Sequence, residues 1–348
     1  LKRMVPEETP ILGEPVSAFE REFATQVGTA HAVGVGSGTD ALVLSLRSLG
    51  IGDGDEVITA ANTFAATVTA ILTVGARPVL VDPDPDTLTL GPDGLVRALT
   101  GSTRAVIPVH LYGRLCPMPP ILEVCAQHDV SVIEDAAQAH GARDGRAAGA
   151  FGRLGCFSFH PSKNLGAFGD GGAVTTNDSE LAGTIRELRN LGQRRKHEFI
   201  HVAPNSKLDS LQAVVLRVKL RYLDRWNTRR REIAAFYARE LAVLERDGVL
   251  ELPELPRGEE HAFHLFAVHS DRRDELRQFL KEHGINAGVH YPVPPHLQPM
   301  TRGLGYGRGD FPVAEASARR ELSLPIAPEL DDAQLHFVCK NVHGFFHA

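Results

Sequence analysis

A rhythm of short strands and intervening helices constrains this chain more than any other feature. Strand character is predicted at His31 to Gly36, Glu56 to Thr59, Pro78 to Asp82, Ala105 to His110 and Ser131 to Glu134, with stretches long enough for a helix between them. Such alternation builds a mostly parallel sheet with helices on both faces, and ligands then gather at the carboxyl ends of the strands. The chemically informative residues stand there. Thr63 and Phe64 follow the second strand, His110 ends the fourth, and Asp135 with Gln138 ends the fifth. The expected fold class is α/β with a mostly parallel mixed sheet, and 348 residues leave room for a second, smaller domain.

Ser17-Ala18-Phe19-Glu20 reads as a capping box opening an entry helix, with Phe19 and Phe23 on one face and Gly28 as its stop. After the first strand, Ser37-Gly38-Thr39-Asp40 leads into a helix with Leu42, Leu46 and Leu49 on one side. Strand, glycine turn and helix start make an anion site, because free N–H groups and the helix dipole converge on the turn. A phosphate is the natural guest.

Gly155 to Asp178 reads GCFSFHPSKNLGAFGDGGAVTTND and holds a single lysine, Lys163. Cys156 to His160 and Gly172 to Thr176 have strand character, so Lys163 lies on the connection between two strands. A lysine buried on such a loop loses its proton more readily and becomes a candidate Schiff-base nucleophile.

Ser206-Lys207-Leu208-Asp209 looks like the start of a long linking helix whose apolar positions are Leu208, Leu211, Val215, Val218 and Tyr222. Residues 1–250 are read as the large domain and 251–348 as a small α+β domain, with strands at His264 to His269 and Asn286 to His290 around a helix at Arg272 to Glu282. The basic runs Arg194 to Lys196 and Arg229 to Arg231 are read as solvated helix faces. The net charge of -6 argues against nucleic acid as a partner. No apolar run near membrane-spanning length and no signal-peptide leader is visible. The first residue, Leu1, is not a methionine, and a processed or omitted start is expected. Four scattered cysteines, Cys116, Cys125, Cys156 and Cys339, fit neither a disulfide framework nor a zinc site, so a cytoplasmic setting is expected and no metal.

A phosphate-cradling turn, an aromatic after one strand, an acid at the end of another and a lysine on a loop meet the needs of pyridoxal 5'-phosphate. That cofactor requires an anion site, a stacking face, a carboxylate for the pyridine nitrogen and an amine for the aldehyde. The runs VGVGSGTDAL, ANTFAATVTAI, PVHLYG, EDAAQAHGA, CFSFHPSKNLGAFGDGGAV, NSKLDSLQA, HYPVPPHLQP and SLPIAPEL resemble, in order and over almost the whole chain, motifs of the DegT/StrS-type sugar aminotransferases. Those enzymes have the aspartate aminotransferase (type I) fold. The resemblance implies that Lys163 binds the cofactor aldehyde and shuttles the proton of transamination, while Asp135 keeps the pyridine nitrogen protonated. Gln138 would contact the ring's hydroxyl side, Phe64 would stack on its face, and Ser37, Gly38 and Thr39 with Ser158 would hold the phosphate. Asn205 matches an asparagine that reaches the phosphate from the neighbouring subunit, which implies a homodimer with shared active sites. His290, Tyr291 and His296 match a motif at the substrate entrance. Ala203-Pro204 and Lys207 depart from the residues frequent in relatives, which puts the path of that loop in doubt.

The implied activity is transfer of an amino group from L-glutamate to a nucleotide-linked keto sugar, with pyridoxamine phosphate formed between the half-reactions. KNLGAFGDGG resembles enzymes that aminate C3 of a dTDP-3-keto-6-deoxyhexose; C4 amination of a dTDP-4-keto-6-deoxyhexose is the alternative. Such sugars feed antibiotic glycosides or surface polysaccharides. Relatives that remove a hydroxyl replace the lysine with histidine, so the retained Lys163 disfavours dehydration. A nicotinamide-dependent dehydrogenase is suggested by Gly34, Gly36 and Gly38 with Asp53 and Asp55, but the spacing is not GxGxxG and those acids precede the next strand. A non-catalytic regulatory relative is the other rival, and Lys163, Asp135 and Gln138 together argue against it.

Overall fold

The computed structural model describes residues 11–256 and 258–347. The first half of the chain alternates β1 (His31–Val35), α2 (Gly38–Ser48), β2 (Glu56–Ala60), α3 (Ala65–Thr73), β3 (Arg77–Val81), α4 (Pro92–Ala98), β4 (Thr103–Ile107), α5 (Met118–Gln127) and β5 (Ser131–Asp135), after an entry helix α1 (Glu14–Val27). Then come β6 (Leu154–Ser158), β7 (Gly172–Thr176) and α6 (Ser179–Leu188). The seven strands form one sheet in the order β1-β7-β6-β5-β4-β2-β3. Only β7 opposes its neighbours; the other pairings in the sheet are parallel. Every expected strand of this sheet is present, with ends that differ by a few residues. His110 lies beyond β4 and is buried against Glu134 rather than closing the strand.

Apolar residues cover both faces. Leu42, Leu44 and Leu46 of α2 pack with Ile133 and Leu154 on one side. Phe19 and Phe23 of α1 pack against Phe157 and Phe159 on the other, with edge-to-face ring pairs at 4.9–5.3 Å. Such aromatic pairs add about 0.5–1.5 kcal/mol each beyond their burial.

The entry helix begins earlier than the expected capping box. Pro15 sits in the first turn, where its missing N–H costs nothing, and Gly28 closes the helix at φ 82°. Ser17 is therefore inside α1. Glu20 does not cap; it is buried, pairs with Arg189 and accepts the Gly34 N–H at 2.8 Å.

The expected long helix is two helices, α7 (Ser210–Leu220) and α8 (Leu223–Arg246). Its predicted apolar stripe holds at Leu208, buried ahead of α7, but not along α7 itself. Ala213 and Leu216 face the core, whereas Leu211, Val218 and Tyr222 are 47%, 54% and 42% exposed. The second half of α8 contributes Ile233, Tyr237 and Leu241 to a separate core with β8 (Phe266–His269), α9 (Arg273–Glu282), β9 (Glu321–Leu324) and α11 (Asp332–His347); α10 (Pro312–Arg320) leads into β9. The strand expected at Asn286 to His290 is only a bridge between Gly288 and Ser323, because the prolines that follow cannot donate to a ladder. The run at Arg229 to Arg231 is not a solvated face either: Arg229 bonds Asp332, Arg230 bonds the carbonyls of Phe263 and Ile326, and Arg231 bonds Glu259.

Candidate active site

The carboxyl ends of the strands open into a cleft of about 340 Å³. Ser37, Gly38, Thr39, Phe64, Asp135, Gln138, Ser158, Lys163, His290 and Tyr291 all line it. Four different strand ends and the segment after the Gly288 bridge supply these groups, so the fold, not sequence proximity, assembles them.

At one end of the cleft α2 begins. Ser37 caps it, accepting the Asp40 N–H at 3.0 Å. The N–H groups of Gly38 and Thr39 lie in the first turn, where a helix offers no carbonyl partner, and the dipole favours an anion. Ser158, at the end of β6, closes the turn from the other side. A Cβ at Gly38 would lie 2.6 Å from Ser158 Cβ, so only glycine allows the backbone this close. The result is a cradle of amides and hydroxyls of the size and polarity that a phosphate requires.

Asp135 occupies the end of β5. Its Oδ2 accepts from Thr67 Oγ1 at 2.8 Å and its Oδ1 from the Ala137 N–H at 3.2 Å. Burial pushes its carboxyl above the ordinary range, against the opposing pull of those hydrogen bonds and of Lys163. A buried carboxylate with that burden fits a cationic guest, which a protonated pyridine nitrogen would be.

Gln138 is held at both ends. Its Oε1 accepts the Tyr112 N–H at 2.6 Å and its Nε2 donates to Tyr291 Oη at 3.0 Å. Tyr112 is a non-glycine residue at φ 59°, and Gln138 supplies the partner its buried amide needs. Because Tyr291 Oη accepts from Gln138, its own proton is left for another acceptor. The Tyr291 and Phe64 rings lie 4.9 Å apart, and Phe64 is half exposed over the cleft, a face available for stacking.

Lys163 is half-buried on the loop between β6 and β7. Loss of hydration pushes its amine below the ordinary lysine range, although the Asp135 carboxylate favours the ammonium. This raises the neutral, nucleophilic fraction near pH 7. The next residue, Asn164, anchors the loop: its Nδ2 donates to Asn227 Oδ1 and Ala262 O at 2.9 Å each.

Two expected residues lie elsewhere. Asn205 is exposed, pairs with Asn190 through a bridge and does not line this cleft. His296 is 3% exposed, bonds Glu315 Oε1 at 3.1 Å and packs on Phe311, so its side chain does not reach the substrate entrance. Sequence reading missed Thr67, His160, Ser162, Asp170 and His264. The last four line the cleft, and Thr67 is legible only as the residue one helical turn beyond Thr63.

An anion cradle, a stacking ring, a buried carboxylate and a deprotonation-prone lysine on a type I transferase sheet define a pyridoxal-phosphate-dependent aminotransferase. The chain belongs to the DegT/DnrJ/EryC1/StrS aminotransferase family, which it matches over residues 1–343 and whose cofactor is pyridoxal 5'-phosphate. It is 49% identical over 325 residues to dTDP-3-amino-3,4,6-trideoxy-alpha-D-glucose transaminase of Streptomyces venezuelae, covering 93% of this chain and 85% of that one. It is also 44% identical to the "Pleiotropic regulatory protein" of Geobacillus stearothermophilus, over 97% of this chain and 90% of the relative. The crystal structure of S. venezuelae DesV superposes with a TM-score of 0.96 at 46% identity, covering 100% of this chain and 93% of that one.

Proposed function

We propose that this aminotransferase moves the amino group of L-glutamate to C3 of a nucleotide-linked keto sugar, a dTDP-3-keto-6-deoxyhexose, in deoxyaminosugar biosynthesis. One observation carries the reading: the Lys163 amine shares a cleft with the Gly38–Ser158 cradle and buried Asp135, in a chain 49% identical to a transaminase of a dTDP-3-amino sugar.

Bound pyridoxal phosphate supplies an electron sink for the negative charge that develops at the donor's α-carbon. The chain's own residues do the rest. Lys163 Nζ would take a proton from the donor's α-carbon and return it two bonds away, across the amino nitrogen, a task suited to an amine whose basicity is depressed. Asp135 would stay anionic to pair with a protonated ring nitrogen, and Thr67 holds that carboxylate in place. The amides of Gly38 and Thr39 with the hydroxyls of Ser37, Thr39 and Ser158 bind the phosphate. Phe64 would cover one ring face, and Gln138 would meet the ring's hydroxyl side. His290 and Tyr291 line the approach of the sugar.

The active unit in this reading is a homodimer in which Asn205 reaches the phosphate of the neighbouring site. Its exposed position outside its own cleft supports that role, as does the uncovered apolar surface of Leu211 and Val218 on α7 and of Phe168, 75% exposed. Four buried free thiols support a reducing, cytoplasmic setting.

The test is to incubate the purified protein with L-glutamate and a dTDP-3-keto-6-deoxyhexose, follow 2-oxoglutarate, and assign the aminated carbon by NMR. Amination at C3 is expected, together with a yellow absorbance band that borohydride removes and that Lys163→Ala lacks. An amine at C4 would overturn the regiochemistry, and no turnover of any keto sugar would return the chain to a regulatory role. Mixing Asn205→Ala with Lys163→Ala protein restores activity if sites are shared; no complementation overturns sharing.

A further inference from the structure

Glu321 opens β9 with 0% of its surface exposed. Both of its oxygens serve the segment that shapes the cleft mouth: Oε2 accepts the His290 N–H and Oε1 accepts from Ser323 Oγ, each at 2.5 Å. Ser323 Oγ in turn stands 2.9 Å from His290 Nδ1. A hydroxyl carries one proton. When that proton goes to Glu321, only lone pairs face His290, so Nδ1 must carry the imidazole proton and Nε2 keeps its lone pair. Nε2 has no hydrogen-bond partner among the described residues, and His290 lines the cleft beside Tyr291 and Lys163. Tyr112 Oη donates to the His290 carbonyl at 2.6 Å and fixes the same segment from the large sheet's side.

We propose that Glu321, acting through Ser323, is a positioning group that holds His290 in the Nδ1–H tautomer, so that Nε2 accepts a hydrogen bond from a hydroxyl of the keto sugar. The sugar half of this statement rests on the function proposed above; the tautomer half does not.

The relay reverses if Glu321 is protonated, since a carboxylic acid donates to Ser323, Ser323 then donates to Nδ1, and Nε2 carries the proton. Burial pushes Glu321 up to about 7, against the Ser323 and His290 hydrogen bonds and the charge of Arg273. The other groups around the relay stay fixed near neutrality. Burial holds Tyr112 and Tyr291 protonated, and it pushes His269, opposite Glu321 on β8, down to about 4. Burial and the Lys163 charge hold His290 itself uncharged. Above about pH 7 the relay therefore presents an acceptor to the sugar, and below it a donor.

The experiment is 15N NMR of the histidine-labelled holoenzyme at alkaline pH, with the His290 signals assigned by their loss in His290→Asn. The expected wild-type pattern is a protonated Nδ1 and a lone-pair Nε2. In Glu321→Gln the amide oxygen must serve the His290 N–H, so its NH2 faces Ser323 and the tautomer inverts. Ser323→Ala removes the relay and mixes the tautomers, while Ser323→Thr keeps the hydroxyl and restores the wild-type pattern. In turnover, Ser323→Ala raises KM for the keto sugar about tenfold with kcat little changed. A wild-type Nδ1 without a proton, or an unchanged tautomer in both Glu321→Gln and Ser323→Ala, overturns the relay. Tautomers as stated with no turnover of any keto sugar would uphold the relay and defeat only the sugar reading.

Discussion

Thr67 Oγ1 donates to Asp135 Oδ2 at 2.8 Å, from a helix that follows β2 to a carboxylate at the end of β5. Thr63 Oγ1 lies 2.7 Å from Thr67 Oγ1, and because the Thr67 proton goes to Asp135, Thr63 must be the donor between them. A directed chain of two hydroxyls thus ends on the acid that faces the cofactor.

Removing the last link should weaken cofactor binding. A hydrogen bond to a charged group contributes about 1.5–3 kcal/mol, so Thr67→Val should lower pyridoxal-phosphate affinity roughly 10- to 100-fold, and Thr67→Ser should restore most of it. Absorbance titration of the cofactor-free protein measures both. Equal affinity in Thr67→Val and wild type would show that Asp135 does not depend on this hydroxyl.

The cradle predicts a compensating pair. Gly38→Ala places a methyl 2.6 Å from Ser158 Cβ, which must push β6 away from α2 and spread the phosphate site. Affinity should fall roughly 5- to 150-fold, on the scale of about 1–3 kcal/mol for overpacking a tight contact. Gly38→Ala with Ser158→Gly removes the colliding atom and should recover part of that loss, although the Ser158 hydroxyl goes with it. Loss in the double variant equal to the sum of the two single losses would mean the collision does not matter.

The sheet and most of the cleft were legible because period and position carry them. Adjacent acids illustrate the limit. Glu134 and Asp135 point to opposite faces of β5, as successive strand residues must. Asp135 faces the cleft, and a motif could mark it. Glu134 is fully buried and accepts from His110 and from the N–H groups of Gly149, Phe151 and Gly152, partners that no local spacing announces. The stripe expected along α7 failed for a related reason. Its apolar residues follow helical spacing, but spacing cannot say whether an apolar face meets the chain's own core or another surface. His296 shows the same limit: a motif does not say whether a residue is buried for packing or open for binding, and here the side chain is buried against Glu315.

Glu20 and Arg189 clamp the strand that leads into the phosphate turn. Glu20 Oε1 accepts the Gly34 N–H, and Arg189 Nη1 donates to the Gly34 carbonyl, both at 2.8 Å. Breaking a buried pair from one side leaves the other charge uncompensated, which costs about 3–5 kcal/mol. Glu20→Ala should therefore lose about that much stability in urea unfolding. Glu20→Gln keeps an acceptor for Gly34 and should lose less. Loss of under about 1 kcal/mol in Glu20→Ala would place this pair with weak surface contacts.

Lys163 should leave a signature in the stability of the cofactor-free protein. Burial lowers the folded-state pKa of its amine below the ordinary 10.5 of the unfolded chain. Between those two values the unfolded chain holds the proton more tightly than the folded one, so stability rises with pH across that window and levels off above it. Below the depressed value both states are protonated, and the folded state bears the full cost of a buried ammonium. Asp135 has the opposite sign: its folded pKa is raised above 3.8, so its contribution falls as pH climbs through the raised range. Subtracting the urea-unfolding free energies of Lys163→Met from those of the wild type, pH by pH, isolates the lysine. The difference should shift in favour of the wild type as pH rises from neutrality toward 10.5. A difference independent of pH would mean that Lys163 keeps an ordinary pKa in the folded protein and is not made nucleophilic by its burial.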